Sequence, residues 1–176
     1  IGVVGSAQAL ETVLEGLSRL EYRGYDSAGV AFQLNGELWS TRAAEGTRSV
    51  DALKASCEHA PSGLMVGIGH TRWATHGNPT QVNANPHLDC GSRLGLIHNG
   101  IIENHEELRA QLRSNGYVFD SQTDTEVMAH LIDSLYQGDL LQAVLQATRQ
   151  LRVAFAIAVM AKDEPHRVIG ARAGSP

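Results

Sequence analysis

Leu64-Met65-Val66-Gly67-Ile68-Gly69-His70-Thr71-Arg72-Trp73-Ala74-Thr75-His76-Gly77 is an apolar run that ends in a dense polar cluster. Leu64 to Ile68 reads as a buried strand, and a strand that runs into such a cluster delivers it to a site. A planar guanidinium (Arg72), two hydroxyls (Thr71, Thr75), two imidazoles (His70, His76) and an indole (Trp73) arrive together. The set suits a small acid such as an amino acid, because an arginine fork grips a carboxylate through two parallel hydrogen bonds. The plainer reading of the same residues puts Trp73 in the core and pairs the imidazoles with backbone groups.

Further along the chain the pattern repeats. Leu94 to Ile97 reads as a second buried strand and runs into His98-Asn99-Gly100-Ile101-Ile102-Glu103-Asn104. Asn followed by Gly at a strand end pairs a side-chain amide with an approachable backbone N–H, as an oxyanion hole for acyl transfer requires, although its commoner meaning is a tight turn. The polar stretch Asn78 to Asp89 between the two strands has no periodicity and reads as a lid or a wall.

The flanks read as scaffold. Ser6 is a candidate N-cap for a helix carrying Leu10, Val13, Leu14, Leu17 and Leu20. That helix ends in Glu21-Tyr22-Arg23-Gly24-Tyr25-Asp26-Ser27, which holds more aromatic and cationic side chains than a turn requires. Gly29 to Leu34 and Glu37 to Thr41 flank Asn35-Gly36, a strong hairpin signal. A short helix follows at Ser49 to Ala60, with Leu53 and Cys57 inward, and another at His105 to Asn115, stopped by Gly116. Thr123-Asp124-Thr125-Glu126 fits a capping box, which leaves Asp124 spare, either to answer the helix dipole or to receive an ammonium group. Asp139 opens a last helix, and Val153 to Ala161 and Val168 to Ala171 read as strands.

Composition bounds the function. The 176 residues, 43% hydrophobic and 19% charged, suit one domain over 1–176. A net charge of -5 and a pI near 5.9 argue against nucleic acid and anionic membranes as partners. Two cysteines are too few for a disulfide framework, and no signal peptide or long apolar span is evident, which together imply a cytoplasmic protein. No His-Glu-x-x-His or paired-cysteine motif is present, so neither a metal nor a cofactor is expected.

Four blocks carry a resemblance: Glu21 to Gly29, Gly69 to Gly77, His98 to Asn104 and Thr123 to Val127. In order and approximate spacing they resemble the glutaminase domain, a class II glutamine amidotransferase, of glucosamine-6-phosphate synthases, the glutamine:fructose-6-phosphate aminotransferases. The resemblance implies an α+β fold, the four-layer αββα sandwich of the N-terminal nucleophile hydrolases. It implies that an N-terminal cysteine attacks the side-chain amide of L-glutamine with its own α-amine as base, an amine whose pKa of roughly 7.7–8.0 suits the task. By motif, Asn99 and Gly100 correspond to the oxyanion hole and Arg72, Thr75 and His76 to the carboxylate site. Asp124 with Gly100 corresponds to the ammonium site, Trp73 lines the pocket, and Arg23, Tyr25 and His87 are supports.

The chain departs from that family in three places. The family begins Cys-Gly-Ile, whereas this chain begins Ile1-Gly2-Val3-Val4-Gly5; either the nucleophile lies upstream of Ile1, or Ile1 replaces it. Asn85 stands where bacterial members often carry histidine. The family continues into a sugar-phosphate isomerase domain, through which a homodimer is expected, and this chain ends at Ser175-Pro176. The rival readings are a catalytically silent glutamine-binding or regulatory module and the amidotransferase domain of another class II enzyme.

Overall fold

The computed structural model describes residues 1–75, 77–152 and 154–174. Two four-stranded antiparallel sheets lie at its centre. The first contains β1 (Gly2–Val4), β2 (Ser27–Leu34), β3 (Glu37–Ala43) and β4 (Val66–Arg72) in the order β1-β4-β2-β3. The second runs in chain order through β5 (His87–Leu88), β6 (Leu94–Gly100), β7 (Phe155–Ala161) and β8 (Ile169–Ala173). Helices α1 (Ala9–Leu20) and α2 (Ser49–Ser56) cover the first sheet; α3 (His105–Ser114), α4 (Asp124–Leu135) and α5 (Leu140–Thr148) cover the second. This is the expected four-layer αββα order.

The alternation of side chains along each strand builds three apolar layers. Val30 and Phe32 of β2 meet Val13 and Leu17 of α1 and Leu53 of α2, all buried. Leu94, Leu96, Ile157 and Val159 face α3, α4 and α5 across the other sheet. Ala31, Ile68, Ile97 and Met160 occupy the thin layer between the sheets. Each fully buried Leu, Ile or Phe contributes about 1.5–3 kcal/mol, so every layer is held by several such terms.

Several element boundaries differ from those the sequence pattern predicts. β4 starts at Val66 and continues through His70, Thr71 and Arg72, and β6 continues through His98, Asn99 and Gly100. The polar clusters are therefore strand ends, and Asn99-Gly100 is paired with Ala156 and Phe155 of β7 rather than folded into a tight turn. Ser6 does not cap α1: the helix starts at Ala9 with Gln8 at the cap position, and Ser6 Oγ accepts from the Gln8 amide in the preceding turn. The loop between β4 and β6 includes the short β5, and Asn83, Ala84, Asn85 and His87 are buried, so that part is a wall rather than a lid. The last two strands begin at Phe155 and Ile169; Val153 lies outside the described residues.

Candidate active site between the sheets

The parity of the strands decides what enters the gap between the sheets. Ile68, His70 and Arg72 share one face of β4, and Ile97 and Asn99 share one face of β6, so the apolar members fill the layer and the polar members continue beyond it. A cavity of about 480 Å³ opens there. Arg72, Trp73 and Thr75 line it from the end of β4 and the turn that follows, Asn99 and Gly100 from the end of β6, and Asp124 from the first turn of α4. Arg23 lines it too, from the turn after α1. Seven of the residues singled out from sequence thus share one cavity. His76 lies outside the described residues, while Tyr25 and His87 do not line the cavity but touch lining residues, Trp73 and Thr123.

Arg72 is buried, and its guanidinium donates long hydrogen bonds of 3.3 Å to the Gly77 carbonyl and 3.5 Å to the Asn78 carbonyl. Burial lowers its pKa, and the carboxylates of Asp26 and Asp124 oppose that shift. Asp26 also accepts from the Ala74 amide and, at 2.9 Å, from the Ser27 hydroxyl, so it ties the turn bearing Trp73 to β2. Trp73 is not core: it is 60% exposed and meets Tyr25 edge-on, with ring centroids 5.3 Å apart. Gly24 lets the turn after α1 reach β4, since a Cβ there would lie 2.9 Å from the Arg72 carbonyl carbon.

Asp124 is not spare. It is 3% exposed, and its Oδ2 accepts from the Ile102 amide at 2.9 Å, two residues beyond Gly100. The capping box forms only by half. Thr123 Oγ1 accepts from the Glu126 amide at 3.2 Å, but the Glu126 carboxylate accepts from the amides of Asp120 and Ser121 and from the Ser121 hydroxyl instead. Burial raises the pKa of Glu126, but hydrogen bonds from His130, Ser121 and Asp120 outweigh it and hold the carboxyl at about 2. Gly100 has φ +144, and a Cβ there would lie 2.5 Å from the Ala154 carbonyl oxygen, so glycine is the residue this strand end accommodates.

Two of the imidazoles, His87 and His70, have their pKa values lowered by burial. His87 Nε2 lies 3.1 Å from Thr123 Oγ1, and burial pushes its pKa down to about 4. His70, half-buried beside the cavity, falls to about 3 for the same reason, and its Nδ1 lies 3.5 Å from Asn85 Nδ2. His98 lines the cavity with its Nδ1 3.3 Å from Thr125 Oγ1 and 4.0 Å from the Asp124 carboxylate. The sequence offered no role for Asp26, His98 or Arg109, whose parts depend on contacts between distant segments. Neither cysteine lines the cavity. Cys57 is buried beneath α2, which pushes its thiol up to about 11, and the Cys90 thiol donates to the Val118 carbonyl at 3.3 Å. Among the described residues, no cluster of His, Cys, Asp and Glu is arranged to hold a metal, and no helix is long and apolar enough to cross a membrane.

Opposite charges and an amide donor beside a glycine thus face one cavity. A family model described as "Glutamine amidotransferase domain" matches residues 70–174. The chain is 54% identical to the glutamine–fructose-6-phosphate aminotransferase (isomerizing) of Bordetella pertussis and 52% identical to that of Symbiobacterium thermophilum. Both alignments cover the whole of this chain, which spans 29% and 28% of the length of those relatives. Among solved structures, the glutamine phosphoribosylpyrophosphate amidotransferase of Bacillus subtilis superposes with a TM-score of 0.76 at 28% identity, covering 92% of this chain and 34% of that one. The αββα sandwich is thus of the N-terminal nucleophile hydrolase type, and the chain belongs to the glutamine amidotransferase domain family.

Proposed function

We propose that the cavity between the sheets binds L-glutamine and is the seat of its hydrolysis to glutamate and ammonia. The observation that carries the reading is the convergence of Arg72, Asp124, Asn99 and Gly100, from three separate segments, on one cavity. Arg72 takes the α-carboxylate, with Thr75 beside it, and Asp124 takes the α-ammonium; Trp73 covers the aliphatic stem. His76 is assigned to the carboxylate by motif alone.

The nucleophile in this reading is a cysteine thiol ahead of Ile1. The Ile1 nitrogen donates to the Gly69 carbonyl at 2.8 Å and the Gly69 amide donates to the Ile1 carbonyl at 2.9 Å, so the pairing of β1 with β4 is intact up to that residue. Continuing β1 backwards in the same register runs it beside His70, Thr71 and Arg72, into the cavity. The thiol passes its proton to the α-amine and attacks the amide carbon. The resulting oxyanion is held by the Asn99 side-chain amide and the Gly100 N–H. Collapse expels ammonia, which takes up the proton, and leaves a thioester; water then attacks the thioester, releasing glutamate and regenerating the thiol.

Identity of 54% to fructose-6-phosphate aminotransferases, against 28% to a phosphoribosylpyrophosphate amidotransferase, favours fructose 6-phosphate as the final ammonia acceptor. The acceptor site then belongs to a sugar isomerase domain, whose pairing makes a homodimer, and the enzyme works in the cytoplasm. Glutamate release from glutamine tests the core of this. The chain that starts at Ile1 should bind glutamine without turnover, and a version with a processed Cys-Gly start ahead of Ile1 should hydrolyse it. Turnover by the Ile1 chain that disappears in Cys90→Ser would overturn the assignment.

A further inference from the structure

We infer that Arg109, buried on α3 outside the cavity, is a positioning residue that fixes the Asp124 carboxylate for the substrate ammonium; the inference rests on the reading of Asp124 given above. Arg109 does not line the cavity, yet its guanidinium reaches across to the segment that leads into α4. One nitrogen donates to the Ser121 carbonyl at 3.1 Å and the other to the Thr123 carbonyl at 2.7 Å. Its carbon rests 4.7 Å from the centre of the Phe119 ring. A planar fork that bridges two carbonyls while stacking on a ring is a geometry lysine cannot reproduce.

Thr123, the residue before Asp124, has every polar atom engaged. Its carbonyl is held by Arg109, its amide donates to Ser121 Oγ at 3.2 Å, and its hydroxyl meets both the Glu126 amide and His87 Nε2. Glu126 secures the same segment from the other side through the amides of Asp120 and Ser121. Asp124 therefore enters α4 from a backbone with no slack. The bond from the Ile102 amide to its Oδ2 links it to the chain just beyond Gly100. One frame consequently sets the ammonium site and the end of the oxyanion strand together. Holding a group within about 0.5 Å of its working position by such a supporting shell is what preorganisation requires.

A merely structural Arg109 would affect all ligands alike, whereas a positioning role is confined to ligands that carry the α-amine. Titration calorimetry on the 176-residue chain, with L-glutamine and with 4-carbamoylbutanoate, which lacks the α-amine, separates the two. Arg109→Lys should weaken L-glutamine about five- to tenfold, the scale of one or two lost hydrogen bonds, and leave the amine-free analogue within about twofold. In an Asp124→Asn background the same change should add almost nothing, since the carboxylate it positions has gone. Ser121→Ala, a milder cut in the same frame, should reproduce the selectivity if Arg109→Lys does not fold. Equal losses for both ligands, or full additivity with Asp124→Asn, would overturn the positioning role. If Asp124→Asn itself weakened both ligands equally, or if L-glutamine did not bind at all, the reading of Asp124 would be the part that fails.

Discussion

Lowering the pH should weaken this fold well above the carboxylate range, and His87 should account for a defined share of the loss. Its imidazole is buried between Arg42, Arg72 and Glu126 and hydrogen-bonded to Thr123, with a pKa pushed from 6.5 down to about 4. A group whose folded pKa lies below its unfolded value takes up protons more readily in the unfolded chain. Its contribution is therefore intact above pH 6.5 and is lost as the pH falls from 6.5 towards 4. At 1.36 kcal/mol per pH unit the full loss is about 3 kcal/mol, of which about 2 kcal/mol falls between pH 7 and pH 5. Urea unfolding followed by circular dichroism at pH 7, 6 and 5, on the unsubstituted chain and on His87→Gln, isolates that share. Glutamine at this position can still meet Thr123 Oγ1 but does not titrate. His70, with a pKa of about 3, acts in the same direction and remains in both proteins; Glu126, held at about 2, adds its loss only below pH 4.5. His87→Gln should therefore lose about 2 kcal/mol less than the unsubstituted chain between pH 7 and pH 5. Equal slopes for the two proteins would refute the claim that His87 is a buried, neutral prop.

Other substitutions probe separate parts of the account. Gly100→Ala places a Cβ 2.5 Å from a backbone oxygen at φ +144 and should cost about 1–3 kcal/mol in stability by thermal unfolding, with the end of β6 displaced. Met128→Ala, fully buried between α4 and the second sheet, should cost about 2–5 kcal/mol. In a version that starts Cys-Gly, Asn99→Ala should lower kcat about 10²–10³-fold with little change in KM, measured by glutamate release; an unchanged kcat would reduce Asn99 to a strand-end residue.

How much of this was legible in the sequence depends on the range of the interactions. Alternation and turn chemistry located the strands, helices and hairpin, because those are set within a few residues. Strand ends are hidden in the sequence because His70, Thr71 and Arg72 look like loop residues until β2 pairs with them, Ser27 opposite Arg72. Ser6 looks like a cap, yet the chain takes one more turn before α1. The bond from the Ile102 amide to Asp124 spans 22 positions, so no local pattern announces it. Arg109 lies in a helix that the sequence marks only as scaffold, and its contacts with Ser121 and Thr123 come from a segment more than ten residues away. Opposite charges on Arg72 and Asp124 could be assigned jointly through the family resemblance, but not from periodicity.

In the proposed reading one cavity presents Arg72 and Asp124 to the two charges of a single amino acid. Calorimetric titration with glutamine analogues that each lack one α-substituent tests it most directly. Removing one member of a desolvated charge pair costs about 2–5 kcal/mol, so Arg72→Ala and Asp124→Ala should each weaken L-glutamine by that amount. Arg72→Ala should have no further effect on the analogue lacking the carboxylate, and Asp124→Ala none on the analogue lacking the amine. Equal losses across every analogue for both variants would contradict that reading.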